Sequence, residues 1–179
     1  MEKIIIASLF LMISCKDKTE AKKNLPCNGV YVNHSKESNE AEKWLKNSIE
    51  SYFKTDLGNL DDAMRRITTK DYYQYKTDAM NVDLDIDGSL TEKQFQEKWK
   101  GKFDAKNAGI GVGFLITGQD WGEIKVSMCE LTFQNGKEFM FNVILKDEEL
   151  KEHYAIRVKV IKEKENYFIA DVIQEIPKN

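Results

Sequence analysis

Ile124-Lys125-Val126-Ser127-Met128-Cys129-Glu130-Leu131-Thr132-Phe133-Gln134-Asn135-Gly136-Lys137-Glu138-Phe139-Met140-Phe141-Asn142-Val143-Ile144-Leu145 reads as two strands joined by a tight turn. Ile124, Val126 and Met128 alternate with polar neighbours, whereas Leu131 and Phe133 fall on the opposite parity. A bulge near Cys129 and Glu130 reconciles the two halves, because one extra residue flips every later side chain to the other face. Asn135-Gly136 is the strongest hairpin dipeptide available, since both residues tolerate a left-handed backbone. Phe139, Phe141, Val143 and Leu145 then give the returning strand one apolar face. A hairpin with a single apolar face is antiparallel sheet resting on a core.

Outward from this hairpin the same period continues. His153 to Ile161 and Asn166 to Ile173 alternate and are joined by the charged turn Lys162 to Glu165. Upstream, Ile110, Val112, Phe114 and Ile116 alternate, and Gly109, Gly111 and Gly113 occupy the positions between the first of them. The spacing predicts a strand with one bare face, followed by a turn at Gly118 to Gly122, and so a five-strand meander. A row without side chains lets a helix, a ligand or another backbone come close; close packing of a helix is the simpler use. It is no phosphate loop, because the dinucleotide fingerprint needs a helix directly after its glycines.

Before the sheet the period is helical. Ala41, Trp44, Leu45, Ser48, Ile49, Tyr52 and Phe53 recur at three- and four-residue steps and predict a helix from Asn39 to Lys54. Leu60 to Ile67, Lys70 to Met80 and Glu92 to Phe103 follow as shorter helices, the last carrying Phe95, Trp99 and Phe103 at four-residue steps. Helices first and an antiparallel meander after them define an α+β fold, with N-terminal helices packed on one face of a curved sheet.

The order of elements, the bulged strand and the ending Tyr167-Phe168-Ile169-Ala170-Asp171-Val172-Ile173 together resemble the NTF2-like, or cystatin-like, cone fold over about residues 40–175. The resemblance implies a cone whose mouth would be lined by Tyr72, Tyr73, Trp121, Tyr154 and Arg157. It also implies small-molecule binding, as many such domains bind and a minority catalyse.

Between the third and fourth helices, Asp83-Leu84-Asp85-Ile86-Asp87-Gly88-Ser89-Leu90-Thr91-Glu92-Lys93-Gln94 resembles an EF-hand calcium loop. Asp83, Asp85 and Asp87 would supply carboxylates, Gly88 the sharp turn, Ser89 a backbone carbonyl and Thr91 a side-chain or water-mediated ligand. Gln94 stands where a bidentate carboxylate belongs, which places affinity at the weak end, ~10⁻⁴ to 10⁻³ M. The same residues also spell a capping box, with Thr91 capping the fourth helix and Gln94 reaching back to the cap amide. Both readings stand at this point.

At the start of the chain, Lys3, an apolar run from Ile4 to Ile13, and Ser14-Cys15 form a secretory signal. The run falls short of the ~20 residues that span a bilayer. Met12-Ile13-Ser14-Cys15 resembles the lipobox of bacterial lipoproteins, in which the cysteine is acylated and becomes the mature N-terminus. Residues 1–14 then form the signal peptide, 15–39 a flexible leash rich in Lys, Glu, Asn and Ser, and 40–179 one α+β domain. Lys16-Asp17-Lys18 resembles the acidic signal that directs lipoproteins outward, which favours the outer membrane or cell surface over the inner membrane. With Cys15 lipidated, Cys27 and Cys129 remain, either as a disulfide or as two thiols.

The chain carries 27 basic and 30 acidic side chains among 179 residues, interspersed along its length. Nucleic-acid binding is disfavoured, because no basic stripe with aromatics beside it is present. His34 and His153 are the only histidines; neither sits in a catalytic signature, although Asp171 on the strand after His153 is a conceivable partner. The leading expectation is a cell-envelope lipoprotein whose domain binds an unknown protein or small-molecule ligand without catalysis, steadied by calcium. A cone-fold enzyme and an envelope immunity protein against a toxin are the alternatives.

Overall fold

Residues 34–174 are described by a computed structural model. Four α-helices, α1 (Lys36–Phe53), α2 (Leu60–Ile67), α3 (Lys70–Met80) and α4 (Glu92–Trp99), precede four strands, β1 (Ile124–Asn135), β2 (Glu138–Asp147), β3 (His153–Glu163) and β4 (Asn166–Gln174). The strands pair antiparallel in the order β1-β2-β3-β4. The chain therefore folds as an α+β domain with an open antiparallel meander.

The helices start where the sequence offers a side-chain acceptor for free amides. Ser35 Oγ accepts the Ser38 N–H at 3.0 Å and opens α1 at Lys36, three residues before the expected start at Asn39, so the helix reaches back into the stretch read as leash. Ser38, Ala41, Leu45, Ile49 and Phe53 form its buried stripe. Thr69 caps α3 through the Tyr72 N–H, and Thr91 with Gln94 completes a reciprocal capping box on α4. α4 ends at Trp99 rather than Phe103, because Lys100 turns extended and Gly101 takes a left-handed φ of 79°. That turn returns Phe103 onto Tyr75, with ring centroids 4.2 Å apart and planes 14° from parallel.

The sheet departs from expectation in two places. Ile110, Val112, Phe114 and Ile116 do not form a first strand, so the sheet among the described residues has four strands rather than five. Gly109 and Gly111 adopt φ of 59° and 69°, which no strand accommodates, and Phe114, Leu115 and Ile116 are all buried in succession instead of alternating. The parity change in β1 is not made near Cys129 and Glu130 either. Register shifts lie between Val126 and Met128 and between Leu131 and Phe133. At each shift the inserted residue is a hydroxyl donor: Ser127 Oγ donates to Ile144 O at 3.0 Å and Thr132 Oγ1 to Met140 O at 3.1 Å. As a result Cys129 and Leu131 turn inward while Met128 and Phe133 turn out, 37% and 49% exposed.

The hairpin turn is Gly136-Lys137, one residue later than Asn135-Gly136, with Asn135 already paired to Glu138. Only the first central residue is left-handed, the pattern of a type II′ turn. Phe139, Phe141, Val143 and Leu145 of β2 and Ile156, Val158 and Val160 of β3 then face the helices and are almost wholly buried. Each such side chain contributes about 1.5–3 kcal/mol of burial, an upper estimate against a compact unfolded chain. At the β4 edge, Thr69 N–H donates to Ile169 O at 2.9 Å and Thr68 bridges to Ile169, so the α2–α3 junction covers part of a free edge.

Candidate functional site

On the buried face of α3, Tyr72, Tyr75 and Ala79 are joined by Lys76, a lysine 2% exposed. Its ammonium donates to Ala108 O at 2.9 Å and to Gly109 O at 3.3 Å. A Cβ on Gly109 would lie 3.1 Å from Lys76 Nζ and 3.0 Å from Gln174 Oε1, and the left-handed φ itself excludes other side chains there. Gly111 N–H donates to Ala79 O at 3.0 Å, and Gln174 Nε2 donates to Gly113 O at 3.0 Å. The bare strand face expected to receive a helix does not form, and of the three glycines only Gly109 is approached by side chains from other elements, a Cβ on Gly111 meeting nothing within 4 Å. What comes close is an ammonium and an amide side chain, pinning an irregular loop between α3 and the end of β4.

Burial pushes Lys76 down to about 8, partly offset by Asp171. Burial raises the Asp171 carboxyl, against the lowering effects of the Val172 amide, Lys159 and Lys76. Tyr72 and Tyr75 are both raised, first by burial and then by Asp171. The Tyr75 hydroxyl donates to Asp104 O at 3.1 Å, which ties the next part of the loop to the same helix.

In front of this pinned loop runs a groove of about 910 Å³. Lys93, Gln96 and Glu97 of α4 form one wall, and Phe103, Ile110 and Val112 form the apolar opposite side. Lys100 and Lys106 stand at the rim and make no ion pair among the described residues. The groove can hold a ligand with both apolar and charged parts. It presents no nucleophile beside a base, and the perturbed amine behind it already donates to two carbonyls.

The aromatic set assigned to a cone mouth is not brought together. Tyr72 is core, 1% exposed. The Tyr73 hydroxyl donates to Asp61 Oδ1 at 2.7 Å and accepts from Arg65 at 2.8 Å, between α2 and α3. Trp121 donates weakly to Phe53 O at 3.4 Å and meets the Phe53 ring edge-on. Tyr154 lies against Gly118 at the opposite end of the sheet, and Arg157 is exposed on the face away from the helices. His153 pairs with Lys146 and Asp171 with Lys159, so His153 and Asp171 are separated by six residues of strand, about 20 Å.

In the acidic loop, Asp83, Asp85 and Asp87 are exposed, and Gly88 takes a φ of 83°. Ser89 Oγ donates to Asn81 O at 2.7 Å, and Thr91 N–H donates to Gln94 Oε1 at 2.9 Å. Among the described residues no three His, Cys, Asp or Glu side chains converge in a way that would hold a metal ion. Cys129 is half-buried under α1. Burial pushes its thiol up to about 12, Glu42 adding to the shift and Lys46 opposing it. Cys15 and Cys27 lie outside the described residues.

Sequence reasoning missed Lys76 and the groove. The signal for the first was present, since Lys76 stands one turn after Tyr72 on the apolar stripe of its helix, where a charge needs partners. Nothing in the sequence foretold the groove, because its apolar wall belongs to the segment read as a strand. The fold and site together define an α+β domain with a charged, apolar-backed groove beside a loop that a buried lysine pins. No family model, no curated protein and no solved structure matches the chain.

Proposed function

We propose that this chain is a cell-envelope lipoprotein, anchored through Cys15 at the outer membrane or cell surface, whose domain binds a ligand in the groove between α4 and the glycine loop without transforming it. The observation that carries the reading is the employment of Lys76. Among the described residues the amine that burial lowers most, Lys76, lies behind the groove and donates to Ala108 O and Gly109 O, which line or adjoin its wall. A perturbed amine supports catalysis when it faces the reacting atoms, and Lys76 faces two backbone carbonyls.

The NTF2-like reading of the fold is supported by four helices laid before an antiparallel meander. Calcium at Asp83 to Gln94 belongs to the same proposal as a stiffening ion, close to the start of α4 and hence to one wall of the groove. It is supported by three carboxylates at alternate positions and by the left-handed Gly88. The lipid anchor rests on the lipobox residues alone, and no described helix is long and apolar enough to cross a membrane.

The test is photo-crosslinking in intact cells from the full-length protein, with a photoreactive residue at Gln96 on the groove or at Glu130 on the far face of the sheet. A discrete adduct from Gln96 alone is expected. Equal labelling at both positions, or none at Gln96, overturns the groove as the binding surface. Loss of fatty-acid labelling in Cys15→Ser is expected in parallel, and labelling that persists removes the anchor.

A further inference from the structure

A second recess lies between α1 and α2. Trp44 and Ser48, followed by Ser51 and Tyr52 one turn further along α1, face Ala63, Arg66 and Ile67 of α2 across a recess of about 250 Å³. A neighbouring recess of about 290 Å³ shares Trp44, Arg66 and Ile67 and extends to Glu165, Asn166 and Tyr167 at the β3–β4 turn. The two form one trough with Arg66 and Trp44 at its middle.

The charges around the trough are unequally employed. Arg65 bonds Asp61 at 2.8 Å and Tyr73 at 2.8 Å and also lies near Asp62, so it uses up the acids of α2. Arg66, the next residue, makes no ion pair and no side-chain hydrogen bond among the described residues, even with Glu165 on the same rim. The Tyr52 hydroxyl and the side chains of Ser48, Ser51 and Asn47 likewise have no protein partner among the described residues, yet all line the recess. Burial, with Asp61 second, holds Tyr52 up to about 12, so it stays a neutral donor. Trp44 and Tyr167 stand with ring centroids 5.9 Å apart and planes at 37°, so an indole and a phenol ring flank the trough.

We infer that this trough binds a sugar acid, a pyranose carrying one carboxylate. Arg66 offers a planar fork of donors matched to a carboxylate. Asn47, Ser48, Ser51 and Tyr52 offer mixed donors and acceptors for ring hydroxyls. The Trp44 ring offers an apolar face for the C–H side of the sugar. A purely apolar ligand would leave these polar groups unpaired, and a bare carboxylate would use only Arg66. The site is separate from the α4 groove and does not depend on the reading given to it.

The test follows the three indole N–H resonances of the detergent-solubilised full-length protein, with Trp44 assigned through Trp44→Phe. Glucuronate, glucose and acetate are the probes. Glucuronate is expected to shift Trp44 saturably while Trp99 and Trp121 stay still, and glucose and acetate each to bind at least about tenfold more weakly, the effect of losing one charge-assisted pair or the hydroxyl contacts. Arg66→Gln, an exposed position, is expected to bring glucuronate down to the level of glucose. The inference is overturned if Trp44 shows no saturable shift with glucuronate, if acetate binds as tightly, or if Arg66→Gln leaves glucuronate binding unchanged.

Discussion

Asp147 Oδ2 accepts the Gly122 N–H at 2.7 Å and thereby ties the segment entering β1 to the turn after β2. The other carboxylate oxygen accepts the Glu149 and Leu150 N–H groups at 2.9 Å each, so a fully buried acid is satisfied entirely by backbone donors. Gly122 is required by the same clamp, because a Cβ there would lie 2.5 Å from Glu149 Cβ. Asp147→Ala removes the acceptor of the Gly122, Glu149 and Leu150 N–H groups and is expected to cost about 1–3 kcal/mol. Gly122→Ala is expected to cost about 1–3 kcal/mol through the clash alone. Urea unfolding of the two variants checks both values.

The clamp also contributes to the acid limb of stability. Burial raises Asp147, but the Leu150, Gly122 and Glu149 amides and Lys151 outweigh it and hold the carboxyl below its ordinary 3.8. Its contribution is therefore complete above the unfolded value and is lost as pH falls through the folded one. The wild-type unfolding midpoint should fall over that acid range more steeply than that of Asp147→Asn. Parallel curves would mean that other carboxylates govern acid unfolding.

The clamp was not legible in the sequence, and the reason is general to this chain. Helix ends were legible because their causes are local: Thr91 and Gln94 are three residues apart, and the Ala41-Leu45-Ile49-Phe53 stripe repeats within one element. α2 and α3 were readable to the residue for the same reason. The sheet's hairpins were visible as alternation, but the bulges were not placed. The hydroxyls of Ser127 and Thr132 bond carbonyls of the partner strand, and only the paired structure supplies those. The glycine segment misled because Ile110, Val112, Phe114 and Ile116 do alternate on paper, whereas the loop's shape is imposed by Lys76, more than thirty residues earlier. The aromatic mouth failed because a likeness in element order carries no side-chain register.

Lys76 makes a prediction of the same sign as Asp147, in the alkaline range. Its folded value of about 8 lies below the ordinary 10.5 because burial penalises the ammonium. Between those values the unfolded chain binds more protons than the folded one, so stability rises with pH. The neutral amine still has two N–H donors for Ala108 O and Gly109 O, so the loop stays pinned. The rise should amount to about 1–2 kcal/mol between roughly pH 7.5 and 9.5, and it should vanish in Lys76→Met. Urea midpoints at the two ends of that range decide it, and a variant with the wild-type slope would assign the rise to another group.

Cys129 should be chemically quiet. The thiolate is the reactive form, and a thiol pushed up to about 12 is almost never ionised near neutrality. In a Cys27→Ser variant, alkylation of Cys129 in the folded protein is expected to be slower than in urea by about a hundredfold or more. A folded-state rate near the unfolded one would place the thiol at the surface and contradict its position beneath Glu42 and Lys46.

Gln94 separates the two readings of the acidic loop, because a capping box accepts Glu or Gln at its third helical position whereas a calcium loop needs the carboxylate. Gln94→Glu therefore keeps the Thr91 cap, whose N–H now donates to Gln94 Oε1 at 2.9 Å, and adds the bidentate ligand that the loop lacks. If Asp83, Asp85 and Asp87 close around calcium, the wild-type chain should gain thermal stability only at ~10⁻⁴ to 10⁻³ M calcium, and Gln94→Glu should gain it at lower concentration. Asp85→Asn combined with Asp87→Asn should lose the response while leaving the melting temperature without calcium nearly unchanged, since both side chains are exposed. Should Gln94→Glu and the wild type melt together across millimolar calcium, the loop is a helix cap with solvated acids, and the groove wall formed by α4 is held by the capping box alone.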